Sequence, residues 1–350
     1  MRNSREITIG NIKIGGGNPV AVQSMTNTDT ADRDATLRQI KRLEKAGCEI
    51  IRFTVNTSQA AKNIAYFKEH TSVPLVADIH FDYKLALESV DAGIDKIRIN
   101  PGNIGAPDRV KKVCDSCRLH GVPVRVGVNG GSLEKTLLAK YGGATPEAIA
   151  ESALSACAAL ERFDFDDIVV SVKSSDVRAM IAAVRIIAGR CAYPLHLGVT
   201  EAGCGEAAVI KSSAGIGALL ADGIGDTIRV SLTDDVVKEV RAGFNLLYAL
   251  DLRPHIEFIS CPTCGRTKFD LIPLAKKLQK EFEKIKTAKT VKVALMGCPV
   301  NGPGEAASAD IGIAGGKNEG ILFFKGVPVK TVPQDKMAEI LLDEVRKIVR

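Results

Sequence analysis

Tryptophan is absent from the 350 residues, and only five tyrosines are present, so the chain absorbs weakly in the near ultraviolet. No stretch approaches the ~20 consecutive apolar residues that a bilayer-spanning helix needs. Residues Met1 to Gly10 lack the apolar block of a secretory signal. A soluble, cytoplasmic protein with no membrane partner is therefore expected. A strong charge imbalance is missing as well: 47 Lys+Arg stand against 41 Asp+Glu, a net charge of +6 with no basic run. That pattern argues against nucleic acid as a partner and leaves room for a localised anion site.

What is present suits a soluble enzyme. Hydrophobic residues make up 45% and charged residues 25%. The length fits one large domain followed by a smaller one. Nine cysteines are an odd number, and in a chain with no secretory signal they favour metal ligation or inert burial over disulfides.

Up to about Leu250, short β-branched runs alternate with helical patterns. The runs begin at Val20, Ile50, Leu75, Lys96, Val124, Asp167, Leu195 and Thr227, the last reading through to Leu232. Helical segments such as Arg33 to Ala46, Pro107 to His120 and Pro146 to Glu161 lie between them, several closing on glycine. Eight strand-then-helix repeats predict a (β/α)8 TIM barrel over residues 1–250, with an open doubly wound sheet as the competing fold. Ile7 to Gly17 reads as a small hairpin able to plug the barrel's bottom.

In such a barrel the chemistry sits where the strands end. Those ends carry Arg52, Asp78, His80, Arg98, Asn100, Arg125, Asn129, Lys173, Glu201, Arg229 and Ser231. Cations converging on one rim repel one another unless an anion sits among them, and arginine forks match phosphate oxygens. Any single cation at a strand end can be explained by access to water; five together favour the anion. His80 alone is weak, since a lone histidine is more often structural. Glu201, at the tip of its strand, suits proton transfer or orientation.

After Leu250 the pattern changes to a small α+β domain, residues 255–350. A strand from His255 to Ser260 runs into Cys261 and Cys264, and a second strand from Val291 leads to Cys298 and the Pro/Gly-rich run ending at Glu305. Cys261 and Cys264 on a tight turn can face one ion or cluster. Structural zinc normally wants a second Cys or His pair, and none lies nearby. Three thiolates suit an iron–sulfur cubane whose remaining iron takes an exchangeable oxygen ligand, with Glu305 the nearest candidate. Cys114 and Cys117 share the same spacing but lie in a helix without partners. Cys48, Cys157, Cys191 and Cys204 are isolated; Cys204 follows Glu201 closely, at the border of the expected pocket, and carries no assigned role.

The run Gly297-Cys298-Pro299-Val300-Asn301-Gly302-Pro303-Gly304-Glu305, with Cys261-Pro262-Thr263-Cys264-Gly265 ahead of it, resembles the 4-hydroxy-3-methylbut-2-enyl diphosphate synthases of the non-mevalonate isoprenoid pathway. Barrel segments around Arg52, Asp78 to Phe81, Arg98 to Asn103, Arg125 to Asn129, Lys173 to Ser175 and Gly198 to Gly203 agree, so the likeness spans the whole chain in its two-domain form. The resemblance implies a [4Fe–4S] cluster on Cys261, Cys264, Cys298 and Glu305, and reductive opening of 2-C-methyl-D-erythritol 2,4-cyclodiphosphate. It implies diphosphate binding by Arg52, Arg98, Arg125 and Lys173 with help from Asn129 and Ser231, Glu201 as acid/base, and ferredoxin or flavodoxin as electron donor. Cys204-Gly205 departs from the Gly-Gly or Gly-Thr expected there, without touching those roles.

Chain geometry adds one expectation. The eighth helix, at ~1.5 Å per residue, returns the chain roughly 22 Å to the barrel's bottom, and the stretch from Tyr248 to Ile259 is too short to climb back. A head-to-tail homodimer, with each small domain capping a partner's barrel, follows; the resemblance implies the same. The rival functions are a pterin-dependent transferase on the barrel and a zinc-stabilised binding module.

Overall fold

A computed structural model describes residues 2–298, 306 and 308–349. The chain divides into two compact units, Met1–Leu250 and Asp251–Arg350.

The first unit is a closed barrel of eight parallel strands. A hairpin of β1 (Ile7–Ile9) and β2 (Ile12–Ile14) precedes it. The barrel strands are β3 (Ala21–Met25), β4 (Ile50–Thr54), β5 (Leu75–Asp78), β6 (Lys96–Ile99), β7 (Val124–Asn129), β8 (Ile168–Lys173), β9 (Leu195–Leu197) and β10 (Thr227–Ile228). β10 pairs with both β9 and β3, which closes the ring. The last two strands are shorter than the sequence pattern suggests. The last ladder bond runs from Arg229 N–H to the Leu197 carbonyl at 2.9 Å, and Leu232 N–H is taken by the Glu239 carboxylate instead of by a neighbouring strand.

Local signals set the helix boundaries. Asp32 caps Arg33–Lys45 by accepting from Ala35 N–H, and basic residues occupy that helix's last turn. Pro107–His120 stops at Gly121, whose left-handed backbone turns its N–H back onto Cys117 and Arg118.

The barrel interior is layered. At the end where the strands begin, Ile7, Ile9 and Ile14 of the hairpin pack against Ala21, Ile50, Val76 and Val169. Residues two apart on a strand share a face. Lys96, Ser171, His196 and Thr227 therefore lie one layer below Arg98, Lys173, Gly198 and Arg229, and Gln23 of β3 and Arg125 of β7 are buried as well. Barrels usually fill this middle layer with branched aliphatic residues; here it is polar.

The second unit is a five-stranded sheet in the order β11 (Ile256–Ser260), β12 (Val291–Met296), β13 (Ile311–Gly315), β14 (Glu319–Phe324), β15 (Val327–Pro333). Its first three strands are parallel and its last three antiparallel. Helices Leu271–Phe282 and Met337–Ile348 bury Leu278, Phe282, Leu341 and Val345 against Val293, Ile311 and Ile313 of the sheet.

Candidate active site

At the C-terminal mouth of the barrel lies a cavity of ≈ 140 Å³, and Arg52, Arg98, Arg125, Lys173 and Arg229 all line it. His80 and Asn129 line it too, together with Asp78, Ser171 and Thr200. Three other expected residues are placed differently. Asn100 caps the short helix Pro101–Ile104, its Oδ1 accepting from Gly102 N–H at 3.1 Å. Ser231 is half-buried beyond the end of β10 and does not line the cavity. Glu201 is exposed, directly after Thr200, and its backbone is left-handed (φ 53°), an uncommon conformation for a residue with a side chain.

Two carboxylates organise the cations. Asp78 lies 3.1 Å from Arg98 Nη1 and 3.6 Å from Arg52 Nε. Burial pushes its pKa up, but Arg52 and Arg98, with Arg125 and His80 behind them, outweigh burial and hold it at about 2. Glu239, from helix Val236–Ala249, takes Arg229 through both its oxygens. Sequence reading noted Asp78 at its strand end without assigning it a role. Glu239 it missed, because one glutamate in an amphipathic helix looks like any solvated one.

Glycines make room for the long side chains. A Cβ on Gly127 would lie 2.4 Å from Arg98 Nε, and one on Gly198 would lie 3.2 Å from Lys173 Nζ. Both cations cross a neighbouring strand where it has no side chain. The site remains short of negative charge. Burial, followed by Arg52 and the other rim cations, presses Lys173 well below its ordinary range, and burial lowers Arg52 to about 10. Such a cavity suits a small polyanion.

In the second unit, register pairs Ser260 with Leu295, so Cys261 and Cys298 leave the same edge of the sheet from adjacent strands. Gly297 N–H donates to Cys261 Sγ at 3.2 Å. Cys264 N–H donates to Thr267 Oγ1 at 3.1 Å, Thr267 N–H returns to the Cys264 carbonyl at 3.0 Å, and Lys268 N–H ties this turn to the Gly297 carbonyl at 3.0 Å. A hydrogen bond from the Arg266 backbone, then one from its side chain, lowers the Cys264 thiol pKa. Among the described residues no three His, Cys, Asp or Glu converge tightly enough for a single metal ion. Glu305 lies outside the described residues. Three thiols on one edge, one already accepting an N–H, fit the wider footprint of a cluster better than a compact tetrahedral ion. Four of the other cysteines are buried thiols: burial pushes Cys48 up to about 12 and Cys114 up to about 11, and raises Cys117 and Cys157 further.

Residues 4–244 match the family described as the GcpE TIM-barrel domain, and residues 257–347 match the GcpE protein C-terminal domain. The chain belongs to the GcpE family. Among its relatives is a protein of Caldanaerobacter subterraneus subsp. tengcongensis, 56% identical over 348 residues, covering 99% of this chain and 98% of the relative. Proteins of Ruminiclostridium cellulolyticum and Geobacter sulfurreducens are each 53% identical over 346 residues, again covering 99% and 98%. All three are named 4-hydroxy-3-methylbut-2-en-1-yl diphosphate synthase (flavodoxin). Two solved barrels share the fold alone. A 3-deoxy-D-arabino-heptulosonate 7-phosphate synthase of Thermotoga maritima is 14% identical, with a TM-score of 0.51 over 71% of this chain and 94% of that one. A 7,8-dihydropteroate synthase of Vibrio fischeri is also 14% identical, with a TM-score of 0.50 over 72% and 100%. At that identity the second likeness gives no support to a pterin reaction for GcpE proteins.

Proposed function

We propose that this GcpE protein works as an iron–sulfur oxidoreductase of isoprenoid biosynthesis, opening 2-C-methyl-D-erythritol 2,4-cyclodiphosphate to 4-hydroxy-3-methylbut-2-enyl diphosphate. The observation that carries the reading is the cavity lined by five cations and one carboxylate, Asp78. A cyclic diphosphate supplies the negative charge that this mouth lacks. Arg98, Arg52 and Arg229, each held by a carboxylate, present fixed N–H donors to phosphate oxygens, and Lys173 adds a compact charge. As the ring opens, charge grows on the released phosphate oxygen, and donors already in place stabilise it without reorganising. Glu201 is the acid/base group, delivering or accepting a proton at the leaving oxygen. Its strained, exposed position next to Thr200 supports that role.

Cys261, Cys264 and Cys298, with Glu305, would hold a [4Fe–4S] cluster. When bound, that cluster supplies the two electrons that the loss of a hydroxyl from this substrate requires. The relatives' names point to flavodoxin as the electron donor, and the cytoplasm is the site of action we propose; among the described residues no helix is long and apolar enough to cross a membrane. A head-to-tail homodimer, in which one chain's small domain serves its partner's barrel, remains the assembly we propose from the short connection between the two units.

The test is an anaerobic assay with the cyclic diphosphate and a chemical reductant. A brown protein that bleaches with dithionite and releases the linear diphosphate agrees with this reading. A colourless protein with stoichiometric zinc and no turnover contradicts it.

A further inference from the structure

The polar layer below the rim has no assigned work. Lys96 is 0% exposed and its Nζ has no hydrogen-bond partner among the described residues. Arg125, 1% exposed, is in the same position at Nε and Nη1. His196 Nδ1 meets Thr227 Oγ1 at 2.8 Å, while its Nε2 is buried and unpartnered, and both polar atoms of the Gln23 amide are likewise buried and unpartnered. Buried polar groups are nearly always satisfied, so this many orphans in one place calls for an explanation.

Charge sharpens the question. The groups acting on Lys96 are Arg125 from β7 and Arg52 from β4, both cations. Those acting on His196 are Arg125, Lys173, Lys96 and Arg52, all of one sign. The two nearby carboxylates are already engaged, Asp78 with Arg52 and Arg98 and Glu239 with Arg229. A dry interior tolerates one more cation only when an anion arrives. The anion's place is the cavity directly above, and Arg125 lines both regions.

We propose that Lys96 is a positioning residue acting on the diphosphate site through Arg125, and that its ammonium forms by uptake of one solvent proton when the anionic substrate enters. With the cavity free of anion, Lys96 is a neutral amine, its Nζ buried beside Arg125 and Arg52 with no hydrogen-bond partner among the described residues. That neutral form agrees with the direction in which burial drives the group, well below its ordinary range. The substrate's charge then stabilises the ammonium, and no bond other than N–H forms. The proposal rests on the diphosphate reading of the mouth and deepens it.

Uptake makes binding weaken as pH rises, because the proton becomes harder to obtain: Kd climbs by up to about tenfold per pH unit where the coupling is complete. The substrate does not confuse the measurement. Each phosphorus of a cyclic diphosphate keeps one strongly acidic hydroxyl, so its charge is constant near neutrality.

The experiment is calorimetric titration of oxidised holoenzyme with the cyclic diphosphate, without reductant, in two buffers of different ionisation enthalpy. Wild type is expected to take up close to one proton. Lys96→Met, which keeps the volume, should bind more weakly, take up none and show a flat pH dependence. Lys96→Arg, a permanent cation, should bind with no uptake and with affinity retained at high pH. Proton uptake unchanged in Lys96→Met, or uptake lost in His196→Gln while Lys96→Met keeps it, overturns the assignment. Failure of wild type to bind the substrate at all instead overturns the reading of the cavity beneath it.

Discussion

Glu239 holds the Arg229 guanidinium at two points, Oε1 accepting from Nη2 at 3.0 Å and Oε2 from Nε at 3.3 Å. The same carboxylate, 2% exposed, also accepts from Ser24 Oγ at 2.8 Å and Leu232 N–H at 3.0 Å. It therefore joins β3, the segment after β10 and the rim, and converts a flexible arginine into a fixed donor. Removing its charge while keeping its shape, in Glu239→Gln, is expected to cost about 2 kcal/mol of substrate binding, a rise in KM of roughly thirtyfold. Steady-state kinetics with a chemical reductant measure it. An unchanged KM would mean that Arg229 does not contact the substrate.

Gly127 offers a purely steric test. Its backbone is not left-handed, so alanine meets no conformational penalty there, only the Arg98 side chain 2.4 Å away. Gly127→Ala should drive Arg98 out of its rotamer and off Asp78, raising KM by about tenfold or more while the far-ultraviolet circular dichroism stays that of wild type. Wild-type kinetics in this variant would remove Arg98 from the diphosphate site.

Asp78 sets an acid limit on stability. Its folded pKa of about 2 lies below the 3.8 of a free aspartate, held there against burial by Arg52 and Arg98. A depressed carboxylate stabilises the fold above its unfolded pKa and loses that contribution as pH falls through the folded value. Urea unfolding of wild type should thus weaken by about 2 kcal/mol from this group alone between pH about 5 and about 2. Asp78→Asn should start less stable, because buried Arg52 and half-buried Arg98 lose their counter-charge, and should lack that portion of the slope. Parallel acid slopes for the two proteins would contradict the pairing.

The thiols divide by consequence. Under strict exclusion of air, Cys298→Ser should lose the visible absorbance and product formation together. Cys204→Ser, at an exposed position with no assigned role, should keep both. Glu201→Ala should keep the colour and lose turnover. Colour surviving in Cys298→Ser, or full activity in Glu201→Ala, would break the corresponding assignment.

Much of this was legible in the chain because period and position carry it. Eight β-branched runs spaced by capped helices leave few alternatives to a barrel, and basic residues recurring at the ends of those runs foretell that cations gather at one mouth. The bounds of Pro107–His120 and Pro146–Glu161 follow from proline at their starts and from what stops them. Other features depend on long-range packing. Glu239 looks like a surface residue until helix Val236–Ala249 turns it onto Arg229. Asn100 has the composition of a ligand and the geometry of a cap. Lys96 opens its strand as an ordinary flanking lysine would, and only closure of the ring reveals that it points into a dry interior. β10 ends before its sequence pattern does because Arg229 to Leu232 are good strand formers, yet after the Arg229 N–H bond to the Leu197 carbonyl the Leu232 N–H goes to the Glu239 carboxylate.

The hairpin at the start of the barrel has a kinetic consequence. Because Ile7, Ile9 and Ile14 stopper that end with apolar side chains, the polar layer inside the strands can be approached only from the cavity at the opposite mouth. Whatever hydrates or charges Lys96 must travel past Arg98 and Lys173, along the route the substrate itself takes. If Lys96 takes up its proton as proposed, a docked substrate would cork that approach and hold the charge until product departs.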